Sequence, residues 1–378
     1  MRCGYISARI LFRTIADRAL EQTTVGYRDW RDDRDVKWNV IWIGMENKRR
    51  PTNQFCKLKT FRPRMNYAVL TKKLSYIDGE SLIFANKIYL KEGSAFPFFL
   101  PSFRRVISSY KMEMESIDFD TPFEAAEIMN RWASAKTKNR IKRPLRGIFL
   151  RRDMLSAVLN VIYFKGHWRV NFNAKNTRNL IFFLDEERAV QKPIMTICDK
   201  KHLRYSESKI LGARFLQLPY REKGFRMVIF LPNKTDGLPD LIKQANRHGL
   251  LDEINRMASP DVEVHLRLPK FKVETDTAEM ELLLAKDQFR LQLVSSKQYP
   301  MANILTSTDE VVDQYFQKAV IEVNEDGTNV DTFIVETKRA ERRSSTPQPE
   351  NISFNVDHPF LFVLLYEDIM LLAGTYTG

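Results

Sequence analysis

The sequence predicts an α+β domain built mostly of antiparallel strands, with a minority of helices packed on them. Three observations carry that expectation. VEVHLRLPKFKVE (262–274) alternates apolar and polar side chains, the period of a strand with one wet face. EAAEIMNRWASAKTKNRI (124–141) instead spaces Ala125, Ile128, Met129, Trp132 and Ala135 as a helical stripe. Across 378 residues there is no internal repeat and no composition-shifted linker, so one mixed unit fits better than two.

Taken in order, ISARILFRTIADRALEQ (6–22) puts Ile10, Leu11, Phe12, Ile15 and Leu20 on one broad helical face. Arg9, Arg13, Asp17 and Arg18 interrupt it, so it reads as an amphipathic helix and not as a signal peptide. WNVIWIG (38–44) is a short strand candidate, and residues 45–65, with two prolines and seven Lys or Arg, show no helical stripe. NYAVLTKKLSYI (66–77) reads as a helix, ESLIFANKIYLKEG (80–93) and KMEMESIDF (111–119) as strands. MLSAVLNVIYFKG (154–166) is too continuously apolar for one wet face and reads as a buried strand. Short strands follow at IFFL, ARFLQLPY and FRMVIFLP; TDGLPDLIKQANRHG starts a helix after Asp236 and stops it at Gly249. TAEMELLLAKD (277–287) is another helical segment. FLFVLLYEDIMLLAG (360–374) is broken at Tyr366-Glu367-Asp368, which predicts two strands around a turn and no membrane span.

Composition narrows the partners. A formal charge of +13 and a pI near 9.5 favour an acidic partner, and the densest patch is Lys136, Lys138, Arg140, Lys142, Arg143, Arg146, Arg151 and Arg152. A second basic stretch runs from Lys57 to Lys73 and includes Lys72. A heparin-like polyanion suits these patches; no helix-turn-helix, finger or sheet-aromatic signature points to nucleic acid. Cys3, Cys56 and Cys198 make no disulfide framework, and the five histidines form no HExxH, so neither a metal nor another cofactor is expected. Absence of GxSxG, Walker and GxGxxG sequences leaves catalysis without a site, and the chain is not expected to be an enzyme.

One stretch has no obvious sheet to join. After the strand AVIEV the chain breaks at Asn324-Glu325-Asp326-Gly327, then runs for about thirty residues before FLFVLL, a long connection for a compact domain. TNVDTFIVETK has strand-forming residues, whereas RAERRSSTPQPEN is charged and rich in Pro and Ser, as an exposed turn would be. The two readings are an exposed bait loop and an ordinary surface hairpin.

Several motifs share one resemblance. EIMNRWASAKTKNRI matches a helix with Asn130, Trp132, Thr137 and Ile141 in place; LNVIYFKGHWRVNFNAKNT matches through Asn160, Tyr163, Phe164, Lys165, Gly166, Trp168, Phe172 and Thr177. LQLPY, MVIFLPN, LRLPKFKVE, KAVIEVNEDGT and FNVDHPFLFVL follow in the same order. Over residues 66 to about 370 the chain resembles the serpins, with residues 1–65 a divergent segment of the same domain and 66–378 the serpin-like body. That resemblance implies three β-sheets, about eight or nine helices and an exposed reactive-centre loop, here residues 327–350.

It further implies a monomeric, secreted inhibitor of serine proteases, a suicide substrate whose cleaved loop enters the central sheet. The alternatives are a non-inhibitory binding or carrier protein and a cytoplasmic location. By similarity Glu325, Gly327, Thr328, Val330 and Thr332 form the hinge, and counting from Gly327 puts the scissile bond at Glu341-Arg342. Arg339, Arg342 or Arg343 would suit a trypsin-like protease. Strand alternation turns Thr328, Val330, Thr332, Ile334, Glu336 and Lys338 to one face. Asn160 and Gln317 are shutter-like positions, Gln317 standing where the family usually has histidine. Asn233-Lys234-Thr235 and Asn351-Ile352-Ser353 are N-glycosylation triplets, so Asn233 and Asn351 are candidate acceptors.

Overall fold

The computed structural model describes residues 70, 72–77, 81–93, 107–108, 111–145, 150–170, 172–257, 262–274, 314–325 and 351–378. They divide into two compact units, 166–272 with 322–378, and the described residues of 4–165 with 273–321.

A five-stranded central sheet has most of its residues in the second unit. Its strands are β1 (Leu82–Lys91), β2 (Glu113–Ile117), β3 (Ser156–Phe164), β9 (Phe271–Glu274) and β10 (Gln314–Val323), in the order β2-β1-β3-β10-β9. All nine residues of β3 are buried, as an uninterrupted apolar run requires of a strand covered on both faces. β3 lies antiparallel to β1 and parallel to β10. Helix α1 (Pro122–Lys136) starts with proline in its first turn and buries Ala125, Ala126, Met129, Asn130, Trp132 and Ala133 in one core with Tyr89, Leu159, Val161, Tyr163, Phe316 and Val320. Two polar residues fix the chain beyond the helix. Asn130 donates to the Leu145 carbonyl (3.1 Å) and accepts from its N–H (2.9 Å), while the Thr137 hydroxyl donates to Ala133 O (2.7 Å) and accepts from Ile141 N–H (3.0 Å).

The first unit contains β4 (Arg178–Phe183), β5 (Ala189–Ser208), β6 (Ala213–Pro219), β7 (Phe225–Pro232), α2 (Leu238–His248), α3 (Leu250–Asn255), β8 (Val262–Pro269), β11 (Asn351–Asn355), β12 (Phe360–Tyr366) and β13 (Ile369–Tyr376). The twenty-residue β5 serves two sheets: its first part pairs with β4 and β8, and residues 204–208 pair with β6. One sheet is β4-β5-β8-β11, the other β5-β6-β7-β12-β13. Gly249 ends α2 at φ 80°, the left-handed conformation for which glycine carries no Cβ penalty. A Cβ on Gly374 would come within 2.6 Å of Phe362 Cζ, so β13 needs glycine there to approach β12.

Three sheets and the α+β class are present, but the expected eight or nine helices are not. Among the described residues there are four, α1, α2, α3 and a 3-10 turn at Ala174–Asn176. The helical patterns at 6–22 and 277–287 lie outside the described residues. The alternating run 262–274 also differs from its simplest reading, because it breaks at Pro269-Lys270 into β8 and β9 and serves two sheets. No helix among the described residues is long and apolar enough to cross a membrane.

Candidate functional site

Two places in the structure bear on the long segment 326–350. The first is the seam of the central sheet. β3 and β10 are direct parallel neighbours over eight register pairs, Gln314↔Ala157 to Ile321↔Phe164. At its middle Asn160 lies opposite Gln317, each about 2% exposed. The Asn160 amide donates to Asn86 Oδ1 (2.6 Å) and Ala85 O (3.3 Å), and its own Oδ1 has no hydrogen-bond partner. A buried acceptor without a partner is costly, so this position is polar at the expense of stability.

The second place is the end of β10, from which segment 326–350 departs. Trp168 is 2% exposed, stacks on Tyr220 (4.2 Å between centroids) and donates its indole N–H to the Asn324 carbonyl (3.0 Å). Glu325, 7% exposed, accepts from the Thr177 hydroxyl (2.5 Å) and pairs with Lys270 Nζ (2.7 Å). Burial pulls the Glu325 pKa upward, yet Lys270 and Thr177 outweigh it and hold the carboxyl below its ordinary value. The two residues before the segment are therefore clamped from three sides, by an indole, a hydroxyl and an ammonium. Beyond it the chain re-enters at β11, parallel to β8.

Comparison with known proteins fits this architecture. Residues 54–377 match the model of the family described as "Serpin (serine protease inhibitor)". The chain belongs to the serpin family. It is 27% identical over 316 residues to antichymotrypsin-2 of Bombyx mori, covering 83% of this chain and 80% of that protein. Serpin-Z1C of Triticum aestivum is 32% identical over 305 residues, covering 77% of this chain and 72% of its own. Among solved structures, Arabidopsis AtSerpin1 in its "native stressed conformation" aligns with a TM-score of 0.67 at 27% identity, covering 82% of this chain and 80% of that one. Serpins are inhibitors and not catalysts, and this chain has the fold of such an inhibitor.

Of the residues singled out from the serpin resemblance, Glu325 stands at the root and Asn160 and Gln317 face each other across the seam. Gly327, Thr328, Val330, Thr332, Arg339, Glu341, Arg342 and Arg343 lie outside the described residues. Lys72, Lys73, Lys138, Arg140, Lys142 and Arg143 are exposed, but several are already engaged. Arg143 pairs with Glu127, Lys136 with Glu113, and the Arg140 guanidinium lies 5.7 Å from the Tyr163 ring centre. Burial raises the Glu113 pKa, but Lys136 and the Trp132 indole lower it further, so this carboxyl too sits below its ordinary value. Asn233 is exposed in the turn after β7, whereas Asn351 begins β11 opposite Glu263.

Sequence reasoning missed Lys270 altogether and read Trp168 and Thr177 only as motif residues. All three converge on Asn324-Glu325 from segments at least 50 residues distant in sequence, which no local pattern reports. The one available signal was a lysine directly after a proline in an otherwise alternating run.

Proposed function

We propose that this serpin inhibits a trypsin-like serine protease as a suicide substrate, through the loop at 327–350. The observation that carries the reading is the β3–β10 seam: two parallel strands meet directly, and β10 runs straight into the loop. A loop folding back between them would lie antiparallel to both. It would exchange one slanted parallel ladder for two antiparallel ones, which are more stable per residue. Thr328, Val330, Thr332 and Ile334 are the side chains that alternation would bury. The protease serine would attack a backbone carbonyl between Arg339 and Arg343 and release the downstream amine. Its ester to the upstream half would then be carried along as that half inserts. Clamping of Asn324 and Glu325 holds the loop's root in place before cleavage.

The same reading extends to an extracellular, monomeric protein with sugar at Asn233 and a heparin-like polyanion at the basic patches, where Lys72 and Lys142 are exposed. Salt-sensitive retention on heparin supports the polyanion; flow-through at low salt rejects it.

The central test is incubation with a panel of trypsin-, chymotrypsin- and elastase-like enzymes. The expected result is an adduct that survives denaturing electrophoresis, with a released peptide whose mass puts the cut between Arg339 and Arg343. Cleavage without adduct, and without a rise in melting temperature afterwards, would make the chain a non-inhibitory binding or carrier protein. Cutting only outside that window would reject the assigned site.

A further inference from the structure

The turn that joins β5 to β6 carries a side chain out of keeping with its place. Residues 209–212 read Lys-Ile-Leu-Gly, and Gly212 takes φ 60°, the left-handed conformation that glycine adopts without a Cβ penalty. Leu211 is buried and its N–H donates to the Ser208 hydroxyl (3.1 Å). Ile210 instead stands 49% exposed, at a position where Gly, Asn, Asp or Ser is usual. Large apolar side chains so exposed are few among the described residues; Ile181 and Phe183 on β4 are two others.

What lies beside Ile210 is set by the pairing of β6 with β7. Ala213 stands opposite Pro232 in that ladder, and just beyond it Asn233 N–H donates to the Gly212 carbonyl (2.9 Å). Gly212 is two residues from Ile210, so the Asn233 backbone lies within about 12 Å of the isoleucine backbone. The connection that starts at Asn233 is held in shape. Gly237 N–H donates to Lys234 O (3.0 Å), and a Cβ on Gly237 would meet Pro232 Cβ at 2.9 Å. Asn233 is exposed and Thr235 half-buried. Asn233-Lys234-Thr235 is thus an acceptor triplet on a surface connection, the setting in which such triplets take sugar, and it is hydrogen-bonded to the turn that bears the exposed isoleucine.

We infer that the sugar on Asn233 folds back over Ile210, its acetamido methyl and ring C–H faces covering the isoleucine and its hydroxyls facing water. This rests on the reading of the chain as an extracellular protein modified at Asn233, and it gives that sugar a structural task. On attachment the Asn233 amide nitrogen bonds to C1 of a lipid-pyrophosphate-linked oligosaccharide. The C1–O bond breaks, the lipid pyrophosphate leaves and the amide proton passes to the transferase. The driving force for folding back is the removal of apolar surface from water, which grows with the area covered.

The test uses the full chain secreted from a eukaryotic host that glycosylates a control protein. It is compared before and after the amidase that releases the whole sugar and leaves an aspartate in place of the asparagine. Hydroxyl-radical labelling reads the exposure of each side chain. Labelling of Ile210 is expected to be mostly lost with the sugar in place and restored by its release. Ile181, 58% exposed and next to β5 opposite Gln191, is expected to label equally in both forms. A hydrophobic dye supplies a second readout: release of the sugar is expected to raise dye binding by the parent but not by Ile210→Ser, an exposed substitution expected to leave the melting temperature in place.

A secreted chain without sugar on Asn233 would overturn the inference together with the reading beneath it. Sugar on Asn233 with Ile210 labelled equally before and after release would overturn the inference alone and leave Asn233 as an acceptor. A change shared by Ile181 and Ile210 would overturn it as well, since the sugar would then act on the whole fold and not on its neighbour. Protease trapping enters none of these readouts, so the result stands whether or not the chain inhibits.

Discussion

Along the β3–β10 seam, the chain meets its neighbour through eight parallel register pairs and tightly buried apolar side chains, with Asn160 and Gln317 as the uncharged polar positions at its centre. At the root of segment 326–350, Asn324 and Glu325 are instead held by an indole, a hydroxyl and an ammonium. Under the proposed loop insertion, the contrast separates two jobs. A seam that parts and re-forms would gain from evenly spaced backbone bonds, which an inserting strand can replace. A root that stays put would gain from directional, charge-assisted bonds that only particular residues can make. It follows that the two regions should respond differently to mutation and pH.

The largest effect is expected at the root. Trp168→Ala removes a fully buried ring, its stack on Tyr220 and its bond to Asn324, and a buried Trp→Ala change costs about 3–5 kcal/mol. Trp168→Phe keeps most of the packing but removes the bond to the Asn324 carbonyl, at about 0.5–1.5 kcal/mol. Denaturant unfolding of both variants checks the order. Equal losses would mean that the ring's volume adds nothing beyond the indole bond.

How much of this was legible in the sequence depends on range. β3 announced itself through the nearly continuous apolar run at 154–166, and α2 through Gly249 at its end, because apolar runs and caps are local patterns. The β12–β13 turn was equally plain: Glu367 takes φ 51° in the two-residue connection that the polar break at 366–368 implied. What stayed hidden was non-local. Lys270 sits 55 residues from Glu325, and nothing around it distinguishes it from the other cations of a chain with 60 Lys and Arg. β5, at twenty residues across two sheets, was hidden for the same reason: its charged middle reads as a break until the partners on either side are known. Ile181 and Phe183 were read as parts of an ordinary short strand, since alternation alone does not say which face the core covers.

A smaller effect is expected from Lys270→Met, which leaves Glu325 buried with Thr177 as its remaining hydroxyl donor. Stranding one member of a fully buried pair costs roughly 3–5 kcal/mol; because the Lys270 side chain is 38% exposed, on the order of 2 kcal/mol is expected here. The pH dependence supplies an independent readout. Glu325 has its folded pKa depressed below the ordinary 4.5, so the clamp contributes fully above about pH 4.5 and its contribution is lost as pH falls through the folded value. Lys270→Met should flatten that acid limb. An unaltered limb would shift the acid sensitivity to other carboxylates, with Glu113 the next to examine because its pKa is depressed as well.

The smallest effect is expected at the seam, where the parent offers nothing to titrate near neutrality. Gln317→Leu removes a buried polar side chain facing Asn160 and should change stability by about 1 kcal/mol or less, with no pH dependence between 5 and 8. Gln317→His should behave otherwise. At about 2% exposure the site disfavours the charged ring, so the folded pKa falls below the unfolded value near 6.5. Stability would then be intact above about pH 6.5 and lost as pH falls through the folded pKa. Melting curves of the parent and Gln317→His between pH 5 and 8 should coincide at the upper end and diverge toward the lower. Parallel curves would mean that the position opposite Asn160 admits a charge without penalty, and the contrast with the root would fail at that position.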